Sequence, residues 1–354
     1  MICLVCALLC LPGCSAAGTV HTYLGLGAVL RLVTYGDDAG LSDYASSLLR
    51  EVEACIDPTV PTSDVARFNA AEDDEAVSVA ALTYRMVTLA RSAYDLTDGL
   101  YDPTLLHAVD LWRFLPRAEG RTMPYDRTEL AEGGYPMPSA EYVAAFASLC
   151  DMRRVEAVFD PATDCYTLVK RGSATVVEGQ TYYAALDLGG LAKGYVVEEL
   201  RRYADAHRVR KGYMSFGSSS LVLLTNRRGQ AWDLSLTHPR GDGTYCTLPA
   251  ADVGVATSGD YQNYYVVDGV RYCHLLDPRT ACPMRSDLLC VTVIGGDAAI
   301  ADALSTALTV GGLANLRAFA EGEYARQHGL QFVAVYMTDE GPSVYATCPV
   351  EARL

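Results

Sequence analysis

The chain has 354 residues, half of them hydrophobic, and a formal net charge of −15. That apolar content suits one large domain or two modest ones and excludes bulk disorder. The acidic balance argues against a nucleic-acid partner, which calls for a basic footprint.

Residues 1–14 read as a targeting segment. Ile2 to Leu11 is apolar but too short to span a bilayer. It ends in Leu11-Pro12-Gly13-Cys14, which resembles the lipobox of bacterial lipoproteins. On that likeness Cys14 carries the lipid and becomes the first mature residue. An ordinary cleaved signal or a buried N-terminal strand is the alternative. Residues 15–22 then form a short tether and 23–354 the folded domain. No other stretch reads as long and apolar enough to cross a membrane, so membrane association rests on the lipid. The expected place is the bacterial cell membrane, facing the extracellular or periplasmic side. Four of the twelve cysteines fall within the first fourteen residues. None of the other eight makes a CxxC pair, which disfavours a zinc ribbon, and most read as small buried hydrophobes.

Val20 to Tyr35 alternates as a strand or hairpin. Leu41, Tyr44, Leu48, Leu49, Val52 and Cys55 recur at helical period. A short helix follows Ser63, whose hydroxyl caps it, with Asp64 favourable in the first turn. Val79 to Thr97 is a further amphipathic helix, closed by Asp98-Gly99. Leu100 to Phe114 gives a turn and an apolar run with Trp112, an aromatic able to stack on a ring. Residues 116–138 are rich in Pro, Gly and charge and read as a surface excursion. Ser139 to Cys150 reads as helix and Val155 to Val177 as strand, turn and strand. Tyr183 to Leu188 looks like a strand leading into Gly189 and Gly190, with a helix beginning near Tyr195. Strands are expected in Gly212–Leu224, Trp232–Thr237, Ala251–Thr257, Tyr261–Leu276 and Val291–Gly295. Helices follow over Ala298–Leu308 and Leu313–Gln327, and Phe332–Met337 is the last strand. Runs of strands broken by separate helices predict an α+β fold with mixed or antiparallel sheets.

Four stretches carry chemistry. Asp187-Leu188-Gly189-Gly190-Leu191-Ala192-Lys193-Gly194 sets a carboxylate before two glycines and an ammonium after them. Glycine lets backbone approach a phosphate closely, and Lys193 is one of three lysines. Tyr195 follows the last glycine where a P-loop needs Lys-Ser/Thr; an ordinary strand-to-helix connection is the alternative. Asp302 and Thr306 stand four apart in a predicted helix, so both oxygens share a face and suit a hard cation such as Mg²⁺. A helix-start charge beside a packed threonine is the plainer account. Thr257-Ser258-Gly259-Asp260-Tyr261 precedes His274-Leu275-Leu276-Asp277-Pro278-Arg279-Thr280, which taken alone equally suits a turn with an Asp–Arg pair. Gly99-Leu100-Tyr101-Asp102 is a turn leading into core.

In this order the four stretches resemble the ApbE family, the FAD:protein FMN transferases, from about Tyr23 to Val310. The resemblance implies an enzyme that binds FAD with Mg²⁺, transfers FMN to a threonine or serine hydroxyl of an exported or membrane protein, and releases AMP. The acceptor motif implied is Asp-x-x-Ser/Thr-Gly/Ser-Ala-Thr/Ser. It also implies Asp302, Thr306 and the Gly190 carbonyl as metal ligands. Leu24, Leu100, Tyr101, Asp102, Asp187, Gly190, Lys193, Ser258 and His274 are the implied flavin-nucleotide contacts. His274 is the implied base or proton relay beside the reacting phosphate, with Asp302 the second catalytic position. Four positions depart from the family pattern. Leu24-Gly25-Leu26 replaces Met-Gly-Thr, and Thr59 stands near a position often held by a flavin-stacking Tyr. Thr280-Ala281 replaces Thr-Gly, and Gly217-Ser218-Ser219-Ser220 replaces Gly-Gly-Asp/Asn. The same site with water as acceptor is a Mg²⁺-dependent FAD pyrophosphatase. A lipid-anchored flavin-binding protein without turnover is the non-enzymatic alternative.

Overall fold

A computed structural model describes residues 18–115 and 137–352. The targeting segment with Cys14, and nearly all of the 116–138 excursion, lie outside the described residues. In chain order the helices are α1 (Leu41–Ile56), α2 (Asp64–Ala70), α3 (Ala81–Leu96), α4 (Leu106–Leu111), α5 (Ala140–Ala147), α6 (Gly189–Ala206), α7 (Ala298–Ala320) and α8 (Glu323–Gln327). The fold is α+β, and every pair of adjacent strands described is antiparallel.

The chain divides into two compact units, each assembled from separate stretches. Of the described residues, the first takes those within 1–51, 191–259 and 287–354, and the second those within 52–190 and 260–286. An eight-stranded sheet forms the body of the first. Its order is Thr19–Gly25, Ala28–Thr34, Gly212–Phe216, Ser220–Leu223, Val253–Gly259, Leu288–Ile294, Gln331–Thr338 and Gly341–Ala346. The first strand thus takes in residues 19–22, which the sequence reading assigned to the tether. Leu288–Ile294 is buried at every position. It sits inside the sheet with both faces covered, which is why its sequence is apolar at every position but Thr292 and does not alternate. A small sheet, Trp232–Thr237 with Thr244–Ala250 and Glu351–Ala352, completes the unit.

Helix α7 packs on the central strands Val253–Gly259 and Leu288–Ile294. It is apolar almost all round and mostly buried, as a core helix must be. By length and composition it also passes as a membrane span, the one such helix among the described residues. That corrects the expectation that no such stretch follows the N-terminal segment; burial in the core accounts for its apolar character. At Gly312 the backbone turns to φ 82°, and the Asp287 carboxylate accepts from the Leu313 amide at 2.9 Å. The seam expected between two helices is this break.

The second unit holds a three-stranded sheet (Val77–Val79, Cys165–Lys170, Val155–Asp160) and a hairpin, Tyr264–Val267 with Val270–Cys273. Ser63 and Ser139 cap α2 and α5 by accepting from Ala66 and Tyr142 amides. Trp112 is core: it packs with Ala108, Phe114, Tyr265, Leu276 and Ala281. Its indole N–H donates to the Ala281 carbonyl at 2.7 Å, and its ring stacks on Tyr272 at 5.7 Å. The ring that Trp112 meets belongs to the protein. Of the eight cysteines outside the N-terminal segment, Cys246, Cys273 and Cys290 are buried, Cys165 is exposed and the rest are half-buried.

Helix α6 starts at Gly189, six residues earlier than expected, and Tyr183–Leu188 makes only an isolated bridge, Ala185 to Leu105. The Asp187 carboxylate is the reason: it accepts from the Gly189 amide at 2.8 Å, one of the donors a helix N-terminus leaves open. At Gly194 helix α6 runs against the start of α7. A Cβ on Gly194 would lie 2.4 Å from the Ala298 carbonyl oxygen and 2.7 Å from Asp302 Cβ. Because the obstacle is helix backbone, Gly194→Ala must push the helices apart. It should cost about 1–3 kcal/mol or more, read as a lower urea midpoint at unchanged slope.

Candidate functional site

In the first unit the candidate residues gather around Asp302. Its side chain is 3% exposed. Its Oδ2 accepts from the Gly194 amide at 2.9 Å, across 108 residues of chain. Burial pushes its carboxyl above the ordinary carboxylate range; Lys193, the Gly194 amide and the Ser220 hydroxyl pull against that. One turn on, Thr306 Oγ1 lies 3.0 Å from Ser258 Oγ, which also meets Ser305 Oγ at 2.8 Å. The strand Val253–Gly259 delivers Ser258 to the α7 face that carries the carboxylate. Lys193 reaches the same region past the turn at Gly217. A Cβ on Gly217 would stand 3.2 Å from Lys193 Cδ. Gly217 and Ser218 have φ of 60° and 59°, so the departure from the family pattern falls on a tight left-handed turn.

The donors here are oxygens: a buried carboxylate and a cluster of hydroxyls. Such a set suits a hard divalent cation, and a buried carboxylate is stabilised by one. Among the described residues no three His, Cys, Asp or Glu stand together as a metal site. A cation at Asp302 therefore draws on hydroxyl, main-chain, phosphate or water oxygens, which is the habit of Mg²⁺. Leu24, at the end of the edge strand in the same unit, is 80% exposed. No described contact joins it to Asp302.

In the second unit Leu100, Tyr101, Asp102, Asp187 and Gly190 come together. The turn after α3 is tied by the Tyr101 amide to Thr97 Oγ1 at 3.0 Å and by the Leu100 amide to the Thr97 carbonyl at 3.1 Å. Buried Asp102 accepts from the Thr104 amide at 2.8 Å and the Thr104 hydroxyl at 2.5 Å. The Asp187 amide donates to the Pro103 carbonyl at 2.7 Å. Gly190 lies under the Tyr101 ring, where a Cβ would be 3.2 Å from Tyr101 Cε2. The stretch 187–190 and the turn 100–102 are thus one constellation, although 85 residues separate Asp187 from Asp102.

His274 is in this unit but outside that constellation. Its Nδ1 is 3.3 Å from the Asn263 carbonyl, and its amide donates to the same oxygen at 2.9 Å. A carbonyl only accepts, so in this contact Nδ1 is the donor. Asp277 is engaged by Arg279, whose Nε and Nη2 donate to it at 2.8 and 2.7 Å. That is the structural turn the sequence allowed. Ser220 and Ser305 were missed as site residues. Ser220 stood in the sequence only as part of a departure from pattern, and Ser305 only as a neighbour of Thr306.

The sequence profile of the ApbE family matches residues 26–331. A FAD:protein FMN transferase from Vibrio cholerae serotype O1 is 27% identical over 350 residues, 96% of this chain and 95% of its own length. One from Treponema pallidum is 25% identical, over 87% of this chain and 83% of its own. Among solved structures, the ApbE protein of Thermotoga maritima superposes with a TM-score of 0.74 at 26% identity, covering 93% of this chain and 96% of that one. The flavin transferase ApbE from Vibrio cholerae gives 0.73 at 25% identity, covering 94% and 97%.

Burial pushes Asp102 up from 3.8 to about 6, with nearby Asp151 adding to the rise while hydrogen bonds from Thr104 and Met152 oppose it. The folded protein holds this proton more tightly than the unfolded chain does. Its stabilising effect is therefore full below about pH 4 and is lost as the pH climbs through 6. Asp102→Asn removes the titration. The stability of the variant relative to wild type should shift in its favour by on the order of 3 kcal/mol between pH 4 and pH 7. Urea unfolding of both proteins across that range measures it; parallel pH curves would contradict it.

Proposed function

Because the chain belongs to the ApbE family, we propose that it transfers FMN from FAD to a hydroxyl of a partner protein, with Mg²⁺ bound at Asp302 and Thr306 and AMP as the leaving product. The transferase class is the one its curated relatives and solved neighbours carry in their names. The observation that carries the metal reading is the buried Asp302 carboxylate, with an ammonium and hydroxyls around it. Mg²⁺ there supplies neutralisation of the diphosphate charge.

The remaining work falls to the residues of the chain. Lys193 lends a positive charge to a phosphate oxygen. The Gly190 carbonyl completes the ligand set that the resemblance implies. Tyr101, Asp102 and Asp187 hold the nucleotide from the turn after α3 and from the start of α6, with Leu100, Ser258 and Leu24 as further contacts. His274, protonated on Nδ1, takes the acceptor hydroxyl proton on Nε2 as the oxygen attacks phosphorus. The acceptor is a threonine or serine in a motif of the form Asp-x-x-Ser/Thr-Gly/Ser-Ala-Thr/Ser. Lipidation at Cys14, with attachment to the outer face of the cell membrane, is part of the proposal and rests on the Leu11–Cys14 likeness.

The chain from Ser15 onward, given FAD, Mg²⁺ and an acceptor fragment, should yield fluorescent flavin on the acceptor and an equal amount of AMP. AMP with unlabelled acceptor would mean hydrolysis instead, and bound FAD with neither product would mean a binding protein. Asp302→Ala should lower Mg²⁺-dependent transfer by about 100-fold or more while the circular dichroism spectrum stays that of wild type. Undiminished turnover in that variant sinks the metal site.

A further inference from the structure

Glu198 is a buried carboxylate that the proposed chemistry does not use. It lies on α6, four residues and so about one turn beyond Gly194, and is 2% exposed. Its Oε2 accepts from the Ala298 amide at 3.0 Å, and Ala298 is the first residue of α7. Asp302 is one turn further along α7, and its Oδ2 accepts from the Gly194 amide at 2.9 Å. The two bonds are reciprocal. Each helix offers a carboxylate to an amide of the other, and on each helix the carboxylate and the amide are four residues apart. A single bond leaves two crossing helices free to pivot. Two bonds a turn apart set both their rotation and their register. Gly194, with no Cβ to collide with Ala298, lets the clasp close.

The rest of the environment holds Glu198 in that pose. Arg201 donates to the carboxylate through Nε at 3.0 Å and through Nη2, which offsets the cost of burying the charge. Arg202 is less tied to it. Its Nε is 3.5 Å from Oε1, while its other nitrogens reach Glu199 at 2.6 Å and Asp297 at 2.8 Å. Asp297 meanwhile caps α7 by accepting from the Ala299 and Ile300 amides at 2.8 and 3.3 Å. With Glu198 on Ala298, the first three amides of α7 are all held by side chains. The Ala298 bond reaches α7 from α6 directly.

We infer that Glu198 is a positioning residue for the cation site: by holding the first amide of α7 it sets where Asp302 and Thr306 stand against Lys193 and Gly194. This rests on the reading of Asp302 and Thr306 as metal ligands. Outer carboxylates that orient ligands in this way typically change metal affinity by about 10–100-fold when altered.

Two conservative variants separate reach from charge. Glu198→Asp keeps the charge but is one methylene too short for the Ala298 amide. Glu198→Gln keeps the length and a carbonyl acceptor but loses the charge. Mn²⁺ is titrated into each FAD-loaded protein and the free ion is read by electron paramagnetic resonance, with urea midpoints measured alongside. The Asp variant should bind Mn²⁺ about 10–100-fold more weakly, and the Gln variant should bind it as wild type does. An Asp variant that binds like wild type overturns the inference, as does a Gln variant as weak as the Asp one. Should the Asp variant not fold, the Gln variant decides alone, since lost Mn²⁺ affinity in it overturns the inference. Failure of the metal reading has its own signature: wild type binds no Mn²⁺ and Asp302→Ala transfers FMN at the wild-type rate, and the inference then falls with it.

Discussion

The contact on which the rest depends is the bond between the Asp302 carboxylate and the Gly194 amide. A carboxylate that is 3% exposed is a costly thing to place in a core. The fold meets that cost with a main-chain donor, a nearby ammonium and the Ser220 hydroxyl. The bond also brings α6 and α7 to a backbone separation that only glycine permits, since a Cβ on residue 194 would lie 2.4 Å from a carbonyl oxygen. Steric and electrostatic demands therefore meet at one residue. The close approach makes the hydrogen bond possible, and the hydrogen bond makes the burial of Asp302 tolerable.

Each unit supplies a different kind of chemistry. The first presents a carboxylate, a lysine and hydroxyls on rigid elements: α6, α7 and the strand Val253–Gly259. The second presents a tightly laced turn, in which the Asp102 carboxylate accepts from the Thr104 amide and hydroxyl and the Asp187 amide donates to the Pro103 carbonyl. The change of unit falls inside α6, between Gly190 and Leu191. The short stretch that looked in the sequence like a phosphate turn is thus the N-terminal part of a continuous helix. Its glycines serve two purposes: Gly190 makes room for the Tyr101 ring, and Gly194 makes room for α7.

Local signals were legible where the physics is local. Ser63 caps its helix as expected, Ser139 proves to be a cap and not the first helical residue, and the apolar period of α1 gives its buried face. Asp302 and Thr306 lie a turn apart in one helix, as their spacing requires. Misreadings came where a distant partner overrode a local pattern. Tyr183–Leu188 has the composition of a strand but finds only one bridge, to Leu105. Thr244–Ala250 and Gly341–Ala346 are strands where the sequence predicts none; each pairs with a neighbour, Trp232–Thr237 and Gln331–Thr338, and strand formation depends on such partners more than on local preference. Helix α7 reads as a membrane span by composition because a helix buried on nearly all sides must be apolar on nearly all sides.

By itself the sequence determined the α+β class, most helices, the Ser63 cap, and the four stretches whose order carries the family. These follow from propensity, periodicity and residue type, which act over a few neighbouring positions. The tertiary structure alone decided that Asp302 is buried, that its partner is an amide 108 residues away, that Ser258 stands between Ser305 and Thr306, and that Glu198 reaches the first amide of α7. Periodicity says which face of a helix is hidden but not what hides it. The hydrophobic effect that drives the burial is non-directional, so the partner is chosen only when the whole chain packs.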